Sequence, residues 1–186
     1  MSARAIQLNA SMYQTAGQNG RWFGAVVERY EAALVRYAAR ITGNVDRARD
    51  VVQDAFLRLH QQNGSPPDNV QAWLYTVCRR RALDIVRKET RMKSLEFMSV
   101  ENGRAAVCET PPTQAVAMER QETESAILQL LAELPDNQQE VVRLKFQENL
   151  SYRDIAEVTG LSVSNVGYLL HVALKTLRQQ LAPAGN

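Results

Sequence analysis

Apolar residues recur along this chain at spacings of three and four, the period of a helix with one buried face. Phe23, Val26, Val27, Tyr30, Leu34, Tyr37 and Ile41 form the first stripe, stopped by Thr42-Gly43-Asn44. Ala48, Val51, Val52, Ala55, Phe56 and Leu59 form a second, with Asp46 as a candidate cap. Asn63-Gly64-Ser65-Pro66-Pro67 excludes a regular element. Asp68 can then cap a third helix to about Lys88, with Val70, Leu74, Val77 and Ile85 inward. Three helices with short connections predict a compact bundle. From about Arg91 to Gln121 the period fades, and Gly103, Pro111 and Pro112 mark an interdomain linker. A fourth helix is expected from about Glu122 to Leu134, with Ile127, Leu130, Leu131 and Leu134 apolar and Pro135 ending it. Asp136 starts a fifth, with Gln139 at the reciprocal capping position and Val141, Val142, Leu144 and Phe146 on its buried side.

Ser151 to Arg178 then reads as two short helices around a tight turn. Ser151 and Asp154 have capping-box spacing. Ile155, Ala156 and Val158 give the first helix its apolar side, and Gly160 can take the left-handed conformation that ends it. Ser162 can cap the second, where Val163, Val166, Leu170, Ala173 and Leu177 recur at helical spacing. A second helix held this way can lie in a DNA major groove. The same pattern also fits a helical hairpin in an all-α core. No strand or internal repeat is signalled. The expected fold is all-α: a three-helix N-terminal bundle and a C-terminal helix-turn-helix domain joined by a flexible linker. The expected boundaries are a loose tail at 1–20, a first domain at 21–92, the linker at 93–121 and a second domain at 122–182.

Composition narrows the chemistry. In 186 residues, 45% are apolar and 23% charged, values of a folded soluble protein. No apolar run approaches the ~20 residues of a membrane helix, and no secretory h-region opens the chain, so no membrane insertion and a cytoplasmic location are expected. Cys78 and Cys108 lie far apart without a CxxC partner and read as two reduced thiols. Metal-ligand clusters, phosphate-cradling glycine loops and nucleophile–base pairs are absent; His60 and His171 are isolated. No enzyme activity and no cofactor are expected. The charge is uneven: residues 21–93 hold fourteen Lys/Arg against eight Asp/Glu, and residues 73–93 seven against two. A basic first half points to a polyanionic partner.

Two segments carry a resemblance. One is LAELPDNQQEVVRLKFQENLSYRDIAEVTGLS before the second helix of the helix-turn-helix. The other is DRARDVVQDAFLRLHQQ, followed after a loop by VQAWLYTVCRRRALDIVRKETR. Their order and spacing, from about Arg21 to Arg178, resemble the bacterial sigma-70 family, in particular the short two-domain members of its extracytoplasmic-function (ECF) group. The resemblance implies an RNA polymerase sigma factor, binding core polymerase (β′ and β subunits) and promoter DNA. Its C-terminal domain would recognise the −35 element, and its N-terminal domain would open and capture the −10 element.

Roles follow residue by residue from that resemblance. Asp50, Gln53, Asp54, Leu57, Arg58 and Gln61 lie off the buried stripe of the second helix, which in the family packs on a β′ coiled coil. Trp73 and Tyr75 beside Arg79, Arg80, Arg81, Arg87 and Lys88 suit −10 DNA, because aromatics stack on unpaired bases while Arg and Lys follow phosphates. Asp84 can orient Arg80 or Arg87, or form a solvent-exposed ion pair. The loop Gln62 to Asn69 would form a pocket for a flipped base. Many relatives carry Asn where this chain has Arg80. For the −35 element the candidates are Arg153, Ser162, Ser164, Asn165, Tyr168, His171 and Lys175. Relatives often carry several arginines along this helix, where this chain has Gly167, Leu169, Val172 and Leu174. Fewer phosphate contacts predict weak, less salt-dependent binding by the isolated domain. Relatives are commonly held by an anti-sigma factor covering both domains, and a ~30-residue linker, spanning about 30 Å, would let the domains close on one. Two rivals stand beside this reading: a stand-alone helix-turn-helix regulator, and a sigma-like adaptor that binds only proteins.

Overall fold

The computed structural model describes the backbone of residues 3–62, 67–96 and 128–181, with side chains from residue 20 onward except 93–96. Among these residues every regular element is a helix, and the chain divides into two compact units, Met1–Ala105 and Ala106–Asn186.

The first unit contains α1 (Ala3–Thr42), α2 (Val45–His60) and α3 (Val70–Glu96). α1 begins well before Phe23 and takes in most of the segment expected as a loose tail. Ala, Gln, Leu and Met dominate residues 3–16, and these are good helix formers. Leu34, Tyr37 and Ala38 of α1 are buried, and all six residues of the α2 stripe are buried as expected. α3 contributes Ala72, Leu74, Tyr75, Cys78 and Ala82 to the core, and Val70, Val77 and Ile85 are half-buried.

Helix ends in this unit are set by asparagine rather than aspartate. Asn44, not Asp46, caps α2: its Oδ1 accepts from Arg47 N–H at 3.0 Å. Asp46 is one residue inside the helix and accepts from Arg49 at 2.8 Å. Asn69, not Asp68, caps α3, accepting from Ala72 N–H at 3.0 Å. In each case the cap is the residue just before the first helical one, where a side-chain oxygen reaches the orphan N–H groups. α3 runs past Lys88 and past the expected boundary at 92 to Glu96. The rest of the expected linker, and residues 63–66 of the expected base pocket, lie outside the described residues.

In the second unit residues 128–133 are helical (α4), followed by α5 (Asp136–Phe146), α6 (Tyr152–Thr159) and α7 (Val163–Leu181). α5 has no side-chain cap. Gln139 instead donates from its amide to the carbonyls of Leu134 at 2.8 Å and Ala132 at 3.3 Å, satisfying the end of α4. Phe146, expected inside, is 61% exposed because it is the last helical residue. The chain turns after it through Asn149 at φ 54°, and buried Leu150 fills the inward place, its N–H donating to Leu144 O at 3.1 Å.

The helix-turn-helix is locally encoded. Asp154 N–H donates to Ser151 Oγ at 3.1 Å, and Ser151 N–H donates to Asp154 Oδ2 at 3.0 Å, the reciprocal capping box. Gly160 closes α6 at φ 75°. Ser162 Oγ accepts from Asn165 N–H at 3.2 Å and caps α7. Ile155, Val158, Val166, Leu169, Leu170 and Ala173 bury the facing sides, while Val163, in the first turn of α7, stays exposed.

Candidate functional site

Three outward helix faces carry the candidate residues. On α2, Asp50, Gln53, Leu57, Arg58 and Gln61 are exposed and Asp54 is half-buried. They line the side opposite the buried stripe. Leu57 is 48% exposed amid charged and amide groups, the composition of an interface centre with its polar rim. Asp54 is not free: its Oδ2 accepts from Arg81 Nε–H on α3 at 3.1 Å. A second rung between the same helices pairs Arg47 with Glu89.

On α3, residues 73, 77, 80, 84, 87 and 91 share one side at spacings of three and four. Trp73 is half-buried there, and Arg80, Asp84, Arg87 and Lys88 are exposed. Tyr75 is not on this face. It is fully buried, with its ring edge-on to Tyr37 at 5.0 Å, and is a core residue unable to stack on a base. Ala72, Tyr75, Cys78 and Ala82 are its stripe; the small residues mark where α3 approaches its neighbours. Arg79 is half-buried and engaged by another group. Among the described residues Asp84 pairs with neither Arg80 nor Arg87, so its expected orienting role is not formed. Cys78 sits in the same core, where burial pushes its thiol up to about 12.

On α7, Ser164, Asn165, Tyr168, His171 and Lys175 are exposed, with Tyr168 at 64%, and Arg153 on α6 and the capping Ser162 are exposed as well. Spacings of 164, 168, 171 and 175 align one stripe along the helix. Ser162 spends an oxygen lone pair on its cap but keeps its hydroxyl proton for an outside acceptor. The positive groups on this unit's outer face are few: Arg153, Lys175 and Arg178 are exposed.

Some contributors are absent from the expected set. Lys145 lies 5.6 Å from the Tyr152 ring centroid and donates to Leu150 O at 3.2 Å, fastening α5 to the start of α6. The Tyr152 ring in turn lies beside Gly167 of α7. In the first unit, Trp22, Arg29 and Tyr30 of α1 and Asp68 to Gln71 line an open cleft of about 440 Å³. Arg143 carries a half-buried guanidinium whose desolvation lowers its pKa. Among the described residues no helix is long and apolar enough to cross a membrane, and no group of three or more His, Cys, Asp or Glu could hold a metal ion.

Comparison with known proteins coincides with this division. Residues 26–92 match the family model for sigma-70 region 2, and residues 124–177 that for sigma-70, region 4. The chain is 30% identical over 164 residues to the ECF RNA polymerase sigma factor SigL of Mycobacterium tuberculosis, covering 87% of this chain and 89% of that protein. It is 27% identical over 168 residues to the ECF RNA polymerase sigma factor SigW of Bacillus subtilis, covering 86% and 88%. Among solved structures it is similar to CnrH in complex with the cytosolic domain of CnrY (TM-score 0.56, 25% identity, 93% of this chain and 96% of that one). The sigma factor RpoE in complex with the anti-sigma factor NepR from Bartonella quintana shares the fold (TM-score 0.63, 21% identity, 88% and 98%).

Proposed function

This chain belongs to the extracytoplasmic-function group of the sigma-70 RNA polymerase sigma factors, and from that premise we propose which surface performs each step of promoter-specific initiation. The outer face of α2, from Asp50 to Gln61, docks on the β′ subunit of core polymerase. The outer face of α3 meets the −10 element, Trp73 stacking on an unpaired base and Arg80, Arg87 and Lys88 following the phosphates. The outer face of α7 meets the −35 element: Ser164 and Asn165 reach base edges near the helix N-terminus, and Arg153 grips the backbone. The protein acts in the cytoplasm and supplies no covalent chemistry; polymerase does. An anti-sigma factor holds it inactive by covering both units, a reading supported by the similarity to CnrH, which was solved with a protein partner.

One observation carries this reading: each matched region falls on its own compact unit, and each unit turns most of its candidate residues outward, the buried Tyr75 excepted. Transcription with purified core polymerase tests it. Specific initiation from a promoter that core alone does not use is expected. Absence of core binding would sink the proposal. DNA binding without polymerase would favour a stand-alone regulator, and protein binding without initiation an adaptor.

A further inference from the structure

The three successive arginines 79 to 81 look like one basic patch, but the fold separates them. Each step along a helix turns the side chain by about 100°. Arg79 turns to the half-buried side, Arg80 joins Trp73 and Arg87 on the outward face, and Arg81 reaches α2. Two rungs fix that edge. Arg47 of α2 pairs with Glu89 of α3, and seven residues further along α2, Asp54 pairs with Arg81, eight residues back along α3. This is the register of antiparallel helices, and the sign of the charge reverses between the rungs. Arg81 therefore sits beside the exposed row of Asp50, Leu57 and Gln61.

Resting on the docking role given to α2, we infer that Arg81 is a positioning residue of the polymerase-docking surface and not a DNA contact, so that this surface extends from α2 onto the adjoining edge of α3. Arg81 uses only its Nε–H on Asp54. The bond restricts the Asp54 carboxylate to one orientation on the docking face, an ordering a lone surface aspartate lacks. Toward DNA the pair is a poor contact, because the carboxylate 3.1 Å away opposes a phosphate approaching Arg81. Arg80 and Arg87 form no ion pair among the described residues, although Asp84 shares their face.

The test uses the full chain and core polymerase, with Arg81→Ala, Arg81→Lys, Arg80→Ala, Asp54→Asn and the Asp54→Asn/Arg81→Ala double variant. Core affinity is measured by fluorescence anisotropy, and open-complex formation separately at rising core concentration. Arg81→Ala should weaken core binding about two- to fivefold and flatten its salt dependence. Its initiation defect should vanish as core is raised, and Arg81→Lys should recover part of the affinity. The double variant should be no weaker than Asp54→Asn. Arg80→Ala should show the converse, an open-complex defect that added core does not repair. Unchanged core affinity in Arg81→Ala, additive losses in the double variant, or a defect persisting at saturating core would overturn the inference. A wild-type chain that fails to bind core would instead remove the docking reading beneath it.

Discussion

The two glycines of the helix-turn-helix should respond to alanine with opposite sign. Gly160 ends α6 at φ 75° and ψ 16°, and its N–H donates to Ala156 O at 2.9 Å. Nothing lies within 4 Å of the place a Cβ would take, so the cost there is purely conformational, about 1–2 kcal/mol for an L-residue in the left-handed region. Gly167 lies inside α7. A Cβ there would sit 3.7 Å from Tyr152 Cε2 and 4.0 Å from Cδ2, ordinary van der Waals contact that displaces nothing. Alanine in a helix interior gains about 0.5–1 kcal/mol over glycine. A small domain shifts by about 4–8 °C per kcal/mol. Gly167→Ala should therefore raise the melting temperature of the second unit by about 2–8 °C, and Gly160→Ala should lower it by at least about 4 °C. Circular dichroism follows both. Trp22 and Trp73 provide an internal control, because the chain's two tryptophans both lie in the first unit and their fluorescence transition should not move. A fall in melting temperature for Gly167→Ala would mean that the Tyr152 ring cannot accept a methyl group. An unchanged value for Gly160→Ala would refute the left-handed cap.

Trp73→Ala should leave the first unit folded and weaken binding of single-stranded −10 DNA in holoenzyme by about 1–3 kcal/mol. Tyr75→Ala should instead cost about 3–5 kcal/mol of stability by opening a core cavity, and a folded Tyr75→Ala variant with only a DNA defect would count against the packing described. The Cys78 thiol, raised by burial from 9.0 to about 12, should resist a thiol reagent at pH 8 in a Cys108→Ser background until the first unit melts. Between pH 9 and 12 the unfolded chain loses this proton while the folded chain keeps it, so the urea midpoint should decline across that window with a contribution absent below pH 9. The second unit produced alone should bind −35 DNA weakly with a shallow salt dependence; tight binding with a steep slope would mean phosphate contacts beyond Arg153, Lys175 and Arg178.

What was legible in the sequence is what helices encode within themselves. The α2 stripe is buried at all six positions because its period is unbroken and its opposite side, Leu57 apart, is mainly polar. Ser151, Asp154, Gly160 and Ser162 act within four residues of their own partners, so spacing alone identifies them. Contacts between helices were less legible. The pattern placed Tyr75 with Trp73 among the DNA-facing residues, because Ala72, Cys78 and Ala82 are small and weigh little in any apolar count. Yet small side chains are where helices approach most closely, and Tyr75 is set among them. Charge was misread for a related reason. A run of three arginines counts as three positive groups, but successive helical residues point 100° apart, and each meets a different environment. Arg79 is drawn half inside and Arg81 is bonded to a carboxylate 27 residues earlier, leaving Arg80 of the three to face outward without a partner among the described residues. The excess of seven Lys/Arg over two Asp/Glu in residues 73–93 is therefore an upper bound on the charge a nucleic acid can meet. On a helix, the field toward any one partner is set by every third or fourth residue and not by the run.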